Sequence, residues 1–256
     1  MVCQSEGMRI AVVNCNTTVE MTRRICAAAA SVARPGTVIE GVTPAWGVPA
    51  AEGFADSFRS AAAVLDAVAG LDADGIVLAG FGEHGREGVR QLVEVPVVDI
   101  TEAAVMFACL LGLDYGVVTS QPAAIGPIRQ SLRAMGLYER CAGIRATGLP
   151  VLAIDASGEA VIAAFLAQSE ALLASGAETI VLGCAGANGI QDALRERLGV
   201  PVLDGVRAAV ALCEDLVHQG LRTSKAGAFR MKPSLDRKST RLNSSHQCLS
   251  RMPSSA

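Results

Sequence analysis

Cys184 has the sequence setting that most favours chemistry. It stands in the segment IVLGCAGANG, directly after an apolar run typical of a buried strand. Backbone N–H groups of Ala185 and Gly186 could face an anionic oxygen there, and a thiol near a helix N-terminus tends toward a lowered pKa. Such a thiol can donate or accept a proton. We therefore predict that Cys184 is an acid/base residue and that Ala185 and Gly186 contact the substrate.

The alternative role for a free cysteine is that of a small buried apolar residue. Most of the remaining cysteines have no glycine-rich strand end beside them. We expect the buried role for Cys3, Cys26, Cys109, Cys141, Cys213 and Cys248.

Residues 14–18 (NCNTT) form a second candidate site after the first predicted strand. Short amide and hydroxyl side chains at a strand end can bind a carboxylate or an imide, and the dipole of a following helix adds to that. A plain helix cap by Thr17 or Thr18 is compatible with the same pattern. We predict that Asn16 and Thr17, together with Thr119 and Ser120 after a later strand, stabilise substrate oxygens.

Residues 80–85 (GFGEHG) form a third candidate site, between a predicted strand and a predicted helix. The spacing is formally G-x-G-x-x-G, with Asp99 further along, as in a dinucleotide-binding fingerprint. That fingerprint normally follows the first strand of its unit, whereas this segment follows the third strand of its half. We therefore favour a cleft-lining role for Gly80, Phe81 and Gly82 over nucleotide binding.

Short β-branched runs alternate with Ala-rich segments of helical period, which predicts an α/β fold with parallel sheets covered on both faces. The predicted strands are residues 9–13, 38–42, 76–79, 95–100, 116–119, 144–146, 179–183 and 200–203. The predicted helices are residues 21–32, 54–69, 86–93, 103–111, 125–135, 159–174, 191–198 and 206–218.

An internal repeat indicates two similar halves. Residues 73–85 (ADGIVLAGFGEHG) match residues 177–189 (AETIVLGCAGANG) at six of thirteen positions, and VPVVD at 95–99 matches VPVLD at 200–204. In this alignment Gly80 lies opposite Cys184. Because ligands bind at the carboxyl ends of parallel strands, we expect the loops of both halves to surround one central cleft.

Composition narrows the class of protein. The chain has 256 residues, 51% of them hydrophobic, and a formal net charge of −3, so it carries no basic footprint for nucleic acid. No apolar run approaches the roughly 20 residues that a bilayer requires, so we expect no membrane partner. No secretory leader is evident, and reduced thiols in a cytoplasm are expected. Residues 1–7 and the serine-rich 234–256 are expected to be extensions, the latter disordered and non-native.

Five ordered motifs carry a family resemblance. They are N-x-N-T after the first strand, P-x-x-E-G at 49–53, VLGCAG around Cys184, GVPVLDGV at 199–206 and GLRTSKAGAF at 220–229. Over about residues 8–233 the chain resembles the aspartate/glutamate/hydantoin racemase superfamily, especially its hydantoin and allantoin racemase branch.

The resemblance implies two flavodoxin-like domains related by pseudo-two-fold symmetry. The first would comprise 8–101 and 206–233, and the second 102–205. It also implies a homo-oligomer that uses no cofactor and no metal. In such an enzyme one cysteine from each half flanks the substrate carbon, so that one removes the proton and the other delivers a proton to the opposite face.

The chain departs from the family pattern at Gly80, where the first-half cysteine would stand, and at Cys15, where N-P-N-T reads N-C-N-T. A glycine cannot carry a proton. The second base could be Cys15, Glu83 or His84; it could be water; or the reaction could need one carrier only. The single-carrier arrangement resembles arylmalonate decarboxylase.

The leading hypothesis is a racemase or isomerase of a small amino-acid derivative such as a hydantoin or allantoin, acting next to a carbonyl. A decarboxylase of a malonate-like acid that uses Cys184 alone is the alternative. A non-catalytic binding protein for a small molecule is a second alternative.

Overall fold

The computed structural model describes residues 7–154, 158–187 and 189–231. Its strands are β1 (Arg9–Asn14), β2 (Val38–Val42), β3 (Gly75–Ala79), β4 (Val97–Asp99), β5 (Tyr115–Thr119), β6 (Cys141–Ala146), β7 (Thr179–Leu182) and β8 (Val202–Asp204). Its longer helices are α1 (Val19–Ala30), α2 (Phe54–Val68), α3 (Arg86–Leu92), α4 (Ile100–Leu111), α5 (Ile125–Ala134), α6 (Glu159–Leu173), α7 (Gln191–Leu198) and α8 (Gly205–His218).

The strands form two parallel sheets with the same internal order. The first sheet runs β2-β1-β3-β4 and the second β6-β5-β7-β8. Every residue of the central strands β3, β5 and β7 is buried, as expected for parallel strands covered by helices on both faces. The predicted α/β class and the predicted repeat of one strand plan are therefore confirmed.

Two aspartates mark the same place in the two halves. The Asp99 carboxylate accepts hydrogen bonds from the N–H groups of Thr101 and Glu102 at the start of α4. Asp204 accepts from Val206 and Arg207 at the start of α8. Because the cap sits at Asp99, β4 ends there and α4 begins at Ile100, three residues before the predicted start.

The second sheet has a longer edge strand than predicted. The prediction placed a strand at 144–146, whereas β6 begins at Cys141 and pairs with β5 from Tyr115 onward. The partial burial of β6 hides the alternation that would have marked its first residues.

The chain crosses between the halves at two adjacent points, Ile100 and Gly205. A Cβ on Gly205 would lie 2.7 Å from the carbonyl oxygen of Ile100, so this close approach of the two backbones requires a glycine. The two crossings therefore lie side by side.

Helix α8 returns to the first sheet, where Val210 shares a core with Val77. This packing supports the predicted domain of 8–101 with 206–233, and 102–205 as the other domain; both boundaries stay predictions.

Residues 1–6 and 232–256, which include nearly all of the predicted extensions, lie outside the described residues. No helix in the described part of the chain combines the length and apolar character needed to cross a membrane.

The cap at Asp204 yields a stability prediction. Asp204→Ala removes the acceptor for two N–H groups and should lower the free energy of unfolding by about 1 kcal/mol. Asp204→Asn keeps one acceptor oxygen and should cost clearly less, since the second carboxylate oxygen has no hydrogen-bond partner within residues 7–154, 158–187 and 189–231. Urea unfolding of the three proteins checks this, and an alanine variant as stable as the wild type would contradict it.

Candidate functional site

A pocket opens between the halves, at the carboxyl ends of β1, β3, β5 and β7. Its empty volume, including the mouth that is open to solvent, is about 410 Å³. Eight of the predicted site residues line it: Asn16, Gly80, Phe81, Thr119, Ser120, Cys184, Ala185 and Gly186. The rest of the lining comprises Cys15, Met21, Ala51, Ala79, His84, Ala124, Val151 and Gly183.

Cys184 follows β7 and precedes a short 3-10 turn at Ala185–Ala187. Burial raises the pKa of its thiol above the usual 9.0, while hydrogen bonds from the backbone of Gly186 and Ala187 act in the opposite direction. Arg24 also lowers this pKa and Glu52 raises it. The expected net lowering is therefore wrong, because burial outweighs the N–H donors that the sequence pattern indicated.

The loop after β1 is held by its own amides. The Asn14 side chain donates to Asn16 Oδ1 and to Thr22 Oγ1, each at 3.0 Å, and accepts from the Asn16 N–H. Asn16 Oδ1 also accepts from the Thr18 N–H. The Asn16 amide nitrogen contacts the sulfur of Met21, a weak acceptor, at 3.1 Å. This N–H group can therefore turn to a substrate oxygen at small cost.

Thr17 and Thr18 bind another loop instead of capping α1. The Thr17 hydroxyl donates to the Val48 carbonyl, and the Thr18 hydroxyl donates to the Pro49 carbonyl at 2.8 Å. Neither side chain caps the helix. Thr17 thus lies beside the pocket and supports its wall, which differs from the predicted substrate contact.

The P-x-x-E-G segment joins the two halves. Glu52 Oε1 accepts a hydrogen bond of 2.9 Å from the N–H of Val151, which lines the pocket from the second half. Sequence reasoning missed Met21, Ala51, Ala124 and Val151 as lining residues. The only available signal was the motif that contains Ala51, because an apolar residue in a loop carries no chemical mark.

Gly80 has no room for a side chain. Asn14 of β1 and Ala79 of β3 are paired in register, so the next residues, Cys15 and Gly80, are neighbours. A Cβ built on Gly80 would lie 2.6 Å from Cys15 Cβ, 3.0 Å from Cys15 Sγ and 2.4 Å from His84 Cδ2. Cys15 and His84 therefore fill the volume that a side chain at position 80 would occupy.

Glu83 and His84 have different surroundings. Glu83 Oε1 accepts from the N–H groups of Gly85 and Arg86 at the start of α3, and Glu83 does not line the pocket. His84 lines it with an exposed fraction of 6%, and its Nδ1 has no hydrogen-bond partner in the described part of the chain. Burial lowers the pKa of His84 to about 4, against a smaller raising effect of a hydrogen bond with the Phe81 backbone.

The local hydrogen bonds argue against the nucleotide-binding alternative. A bound pyrophosphate needs the N–H groups at the start of the following helix, and the Glu83 carboxylate already accepts from them. The ribose partner would be Asp99, which instead caps α4. Gly82, predicted to line the cleft, lies behind it: its N–H donates to Thr101 Oγ1, and its carbonyl accepts from Ser131.

The second half supplies the remaining polar lining. Thr119 Oγ1 donates to the Gly183 carbonyl at 2.9 Å, which fixes the hydroxyl oxygen, and Ser120 lies next to it. Among the described residues that line the pocket there is no lysine or arginine. Among the residues that the structure describes, no three His, Cys, Asp or Glu side chains are grouped so that they could hold a metal ion.

Comparisons with known proteins give a consistent result. The family described as Asp/Glu/Hydantoin racemase matches residues 10–213. The hydantoin racemase of Pseudomonas sp. (strain NS671) is 35% identical over 227 residues, which cover 87% of this chain and 91% of the relative. The structure of allantoin racemase from Pseudomonas fluorescens superposes with a TM-score of 0.86 at 46% identity, covering 89% of this chain and 98% of that one. Arylmalonate decarboxylase superposes with a TM-score of 0.60 at 18% identity, covering 83% and 93%, which shows a shared fold alone.

The crowding at Gly80 predicts a stability cost. Gly80→Ala forces the backbone, Cys15 or His84 to shift and should lower the free energy of unfolding by about 1–3 kcal/mol. Gly186→Ala is the matched control in the same pocket, because a Cβ there meets its nearest atom, Cys184 Sγ, at an ordinary 3.5 Å. Denaturant unfolding measures both, and equal costs for the two variants would contradict the crowding.

Proposed function

Because this chain belongs to the Asp/Glu/hydantoin racemase family and is a racemase, we propose that it inverts a small cyclic amide of the hydantoin or allantoin type without a cofactor. Cys184 is the acid/base residue. The observation that carries this proposal is a buried thiol beside backbone N–H donors in a pocket whose described lining residues include no lysine or arginine.

The charge of the lining supports a neutral substrate. A dicarboxylate or a free amino acid would place a carboxylate among described lining residues that include no lysine or arginine, which is costly. Arg24 acts on Cys184 from outside this lining. A hydantoin or allantoin ring has no carboxylate and offers carbonyl oxygens and N–H groups. The Asn16 amide and the hydroxyl of Ser120 supply donors for such oxygens.

His84 supports the same substrate class. Its low pKa leaves the imidazole neutral at physiological pH, and the residue lines the pocket. Its buried Nδ1 has no hydrogen-bond partner among the residues that the structure describes. A buried nitrogen with a free lone pair is suited to accept a hydrogen bond from a ring N–H group. We assign His84 this acceptor role, because a group with so low a pKa is a weak base.

The reaction begins with proton removal from the stereogenic carbon by the Cys184 thiolate. The adjacent carbonyl takes up the negative charge as an enolate, which pocket donors stabilise; loss of one such donor typically costs about 3 kcal/mol of barrier. Reprotonation on the opposite face completes the inversion. The electrons stay on the substrate throughout, so the proposed step needs no electron sink.

The decarboxylase alternative depended on an empty position at Gly80. Cys15 and His84 fill that volume, so a second thiol is present in the pocket and the observation no longer favours a single carrier. A reducing compartment such as the cytoplasm suits the enzyme, because the described cysteines are free thiols: Cys15, Cys26, Cys109, Cys141, Cys184 and Cys213. We propose small molecules as its ligands, with neither nucleic acid nor membrane as a partner.

Solvent exchange tests the activity. Single enantiomers of 5-methylhydantoin and of allantoin, incubated with the enzyme in D₂O, should gain deuterium at the stereogenic carbon and racemise. Cys184→Ala should reduce the rate at least about 100-fold, since acid/base residues contribute factors of this size. Cys26→Ala is the control, because that thiol lies outside the pocket lining and should leave the rate unchanged. Exchange with neither compound, or release of CO₂ from a substituted malonate instead, would contradict the proposal.

A homo-oligomer is proposed from the surface of α4 and the residues that follow it. Large apolar side chains are exposed there: Met106 at 48%, Leu110 at 80%, Leu111 at 58% and Leu113 at 68%. Grouped exposure of this kind marks protein interfaces. Sedimentation equilibrium should give a multiple of the 26.3 kDa chain mass, and Leu110→Glu should reduce that mass. A monomeric wild type would contradict the proposal.

A further inference from the structure

The position of Cys15 follows from strand register. β1 and β3 are hydrogen-bonded neighbours whose last residues, Asn14 and Ala79, are paired, so the residue after each strand emerges at the same level. A side chain on residue 15 and one on residue 80 compete for one volume, as the 2.6 Å separation between Cys15 Cβ and a Cβ on Gly80 shows. Cys15 can therefore line the pocket at this strand end only because residue 80 is a glycine.

The internal repeat puts the two thiols on opposite walls. Gly80 after β3 corresponds to Cys184 after β7, and Cys15 after β1 corresponds to Ser120 after β5. Each half thus presents two strand-end positions to the pocket. In the first half the sulfur follows β1, the first strand of the repeat, and in the second half it follows β7, the third strand of the repeat. All four residues line the pocket.

The charges of the two thiols are coupled. Burial is the main cause that raises the pKa of Cys15 to about 12, and the charge of Cys184 is the next. Two like charges in one buried site disfavour each other, so the pair holds one proton more readily than none. Inversion requires one thiol and one thiolate, and this coupling opposes the loss of the second proton, so that a proton donor stays beside the base.

The other candidate second bases are already committed. The Glu83 carboxylate is bound to the first N–H groups of α3 and lies within 3.3 Å of the Arg86 guanidinium. His84 is a neutral acceptor and a weak base. Cys15 remains, as a half-buried residue of the pocket lining.

We propose that Cys15 is the second proton carrier of this enzyme and acts on the face of the substrate opposite Cys184. This inference rests on the proposed function. In one direction the Cys184 thiolate takes the proton from carbon, and the Cys15 thiol delivers its proton to the other face of the enolate. The C–H bond that breaks and the C–H bond that forms leave Cys184 as a thiol and Cys15 as a thiolate. The opposite enantiomer runs the same steps in reverse.

One-sided exchange is the test. Each enantiomer of 5-methylhydantoin is incubated in D₂O with wild type, Cys15→Ala, Cys184→Ala or the control Cys109→Ala, whose thiol lies on α4 away from the pocket. Deuterium is followed by NMR and inversion by chiral chromatography. Wild type and the control should exchange and invert both enantiomers.

Cys15→Ala should lower inversion at least about 100-fold while one enantiomer still exchanges with retention. Cys184→Ala should show the same behaviour with the other enantiomer. A merely structural role of Cys15 would reduce exchange of both enantiomers equally. Inversion by Cys15→Ala within twofold of the control, or equal loss of both exchanges in a protein with the wild-type melting temperature, would overturn the proposal. Cys15→Ser serves in the same test if the alanine variant does not fold.

A second measurement needs no substrate. The groups that act electrostatically on Cys15 include Cys184 and Asp99, and His84 lies beside it. Removing the Cys184 charge with Cys184→Ser should raise the rate at which iodoacetamide alkylates Cys15 at a fixed alkaline pH, while alkylation of Cys109 stays unchanged. An unchanged Cys15 rate would overturn the pairing. If wild type inverts neither hydantoin nor allantoin, the proposed function fails, and this measurement still decides whether the thiols form a pair.

Discussion

The volume above the paired ends of β1 and β3 can hold only one set of side chains, and the rest of the pocket depends on how it is filled. Parallel pairing sets Cys15 and Gly80 at one level, and their Cβ positions would overlap. Cys15 and His84 can therefore pack here only because residue 80 is a glycine. The first half has no side chain at position 80 itself. The space beside that position nevertheless contains the thiol of Cys15 and the imidazole of His84.

Motifs that are far apart in the sequence serve this same pocket as a scaffold. The threonines after β1 bind the carbonyls of Val48 and Pro49, and Glu52 then reaches the backbone of Val151 in the other half. The hydrogen bonds run in series, so the loop that presents Asn16 is fixed to the loop that closes the pocket. Preorganised donors of this kind do not have to reorient when charge develops on a substrate.

Much of the fold could be predicted from the sequence, because buried β-branched runs and Ala-rich helices differ sharply in period. The loops that line the pocket were also predictable, since chemistry-bearing residues follow parallel strands. The shared occupancy of Cys15 and Gly80 was not predictable, because it depends on register between strands that are distant in sequence. The sequence also could not show that His84 lines the pocket while Glu83 does not. Adjacent residues in a turn point to different sides, and only the folded backbone shows which of them faces the pocket.

The sign of the Cys184 pKa shift had a different origin. The sequence indicated the N–H donors that favour the thiolate, and the structure contains them. The sequence does not show how far the fold removes water from the thiol. Where burial and hydrogen bonding oppose each other, their balance is a property of the packed structure.

The two backbone crossings at Ile100 and Gly205 have a consequence for motion. Because they lie side by side, the chain passes between the halves at one place, and rotation about that place would alter the separation of the pocket walls while each sheet stays intact. The bending would fall where a strand passes directly into a capped helix, from Asp99 to Ile100 and from Asp204 to Gly205. The Glu52–Val151 hydrogen bond joins the two halves, so such a rotation would break it on opening and re-form it on closing.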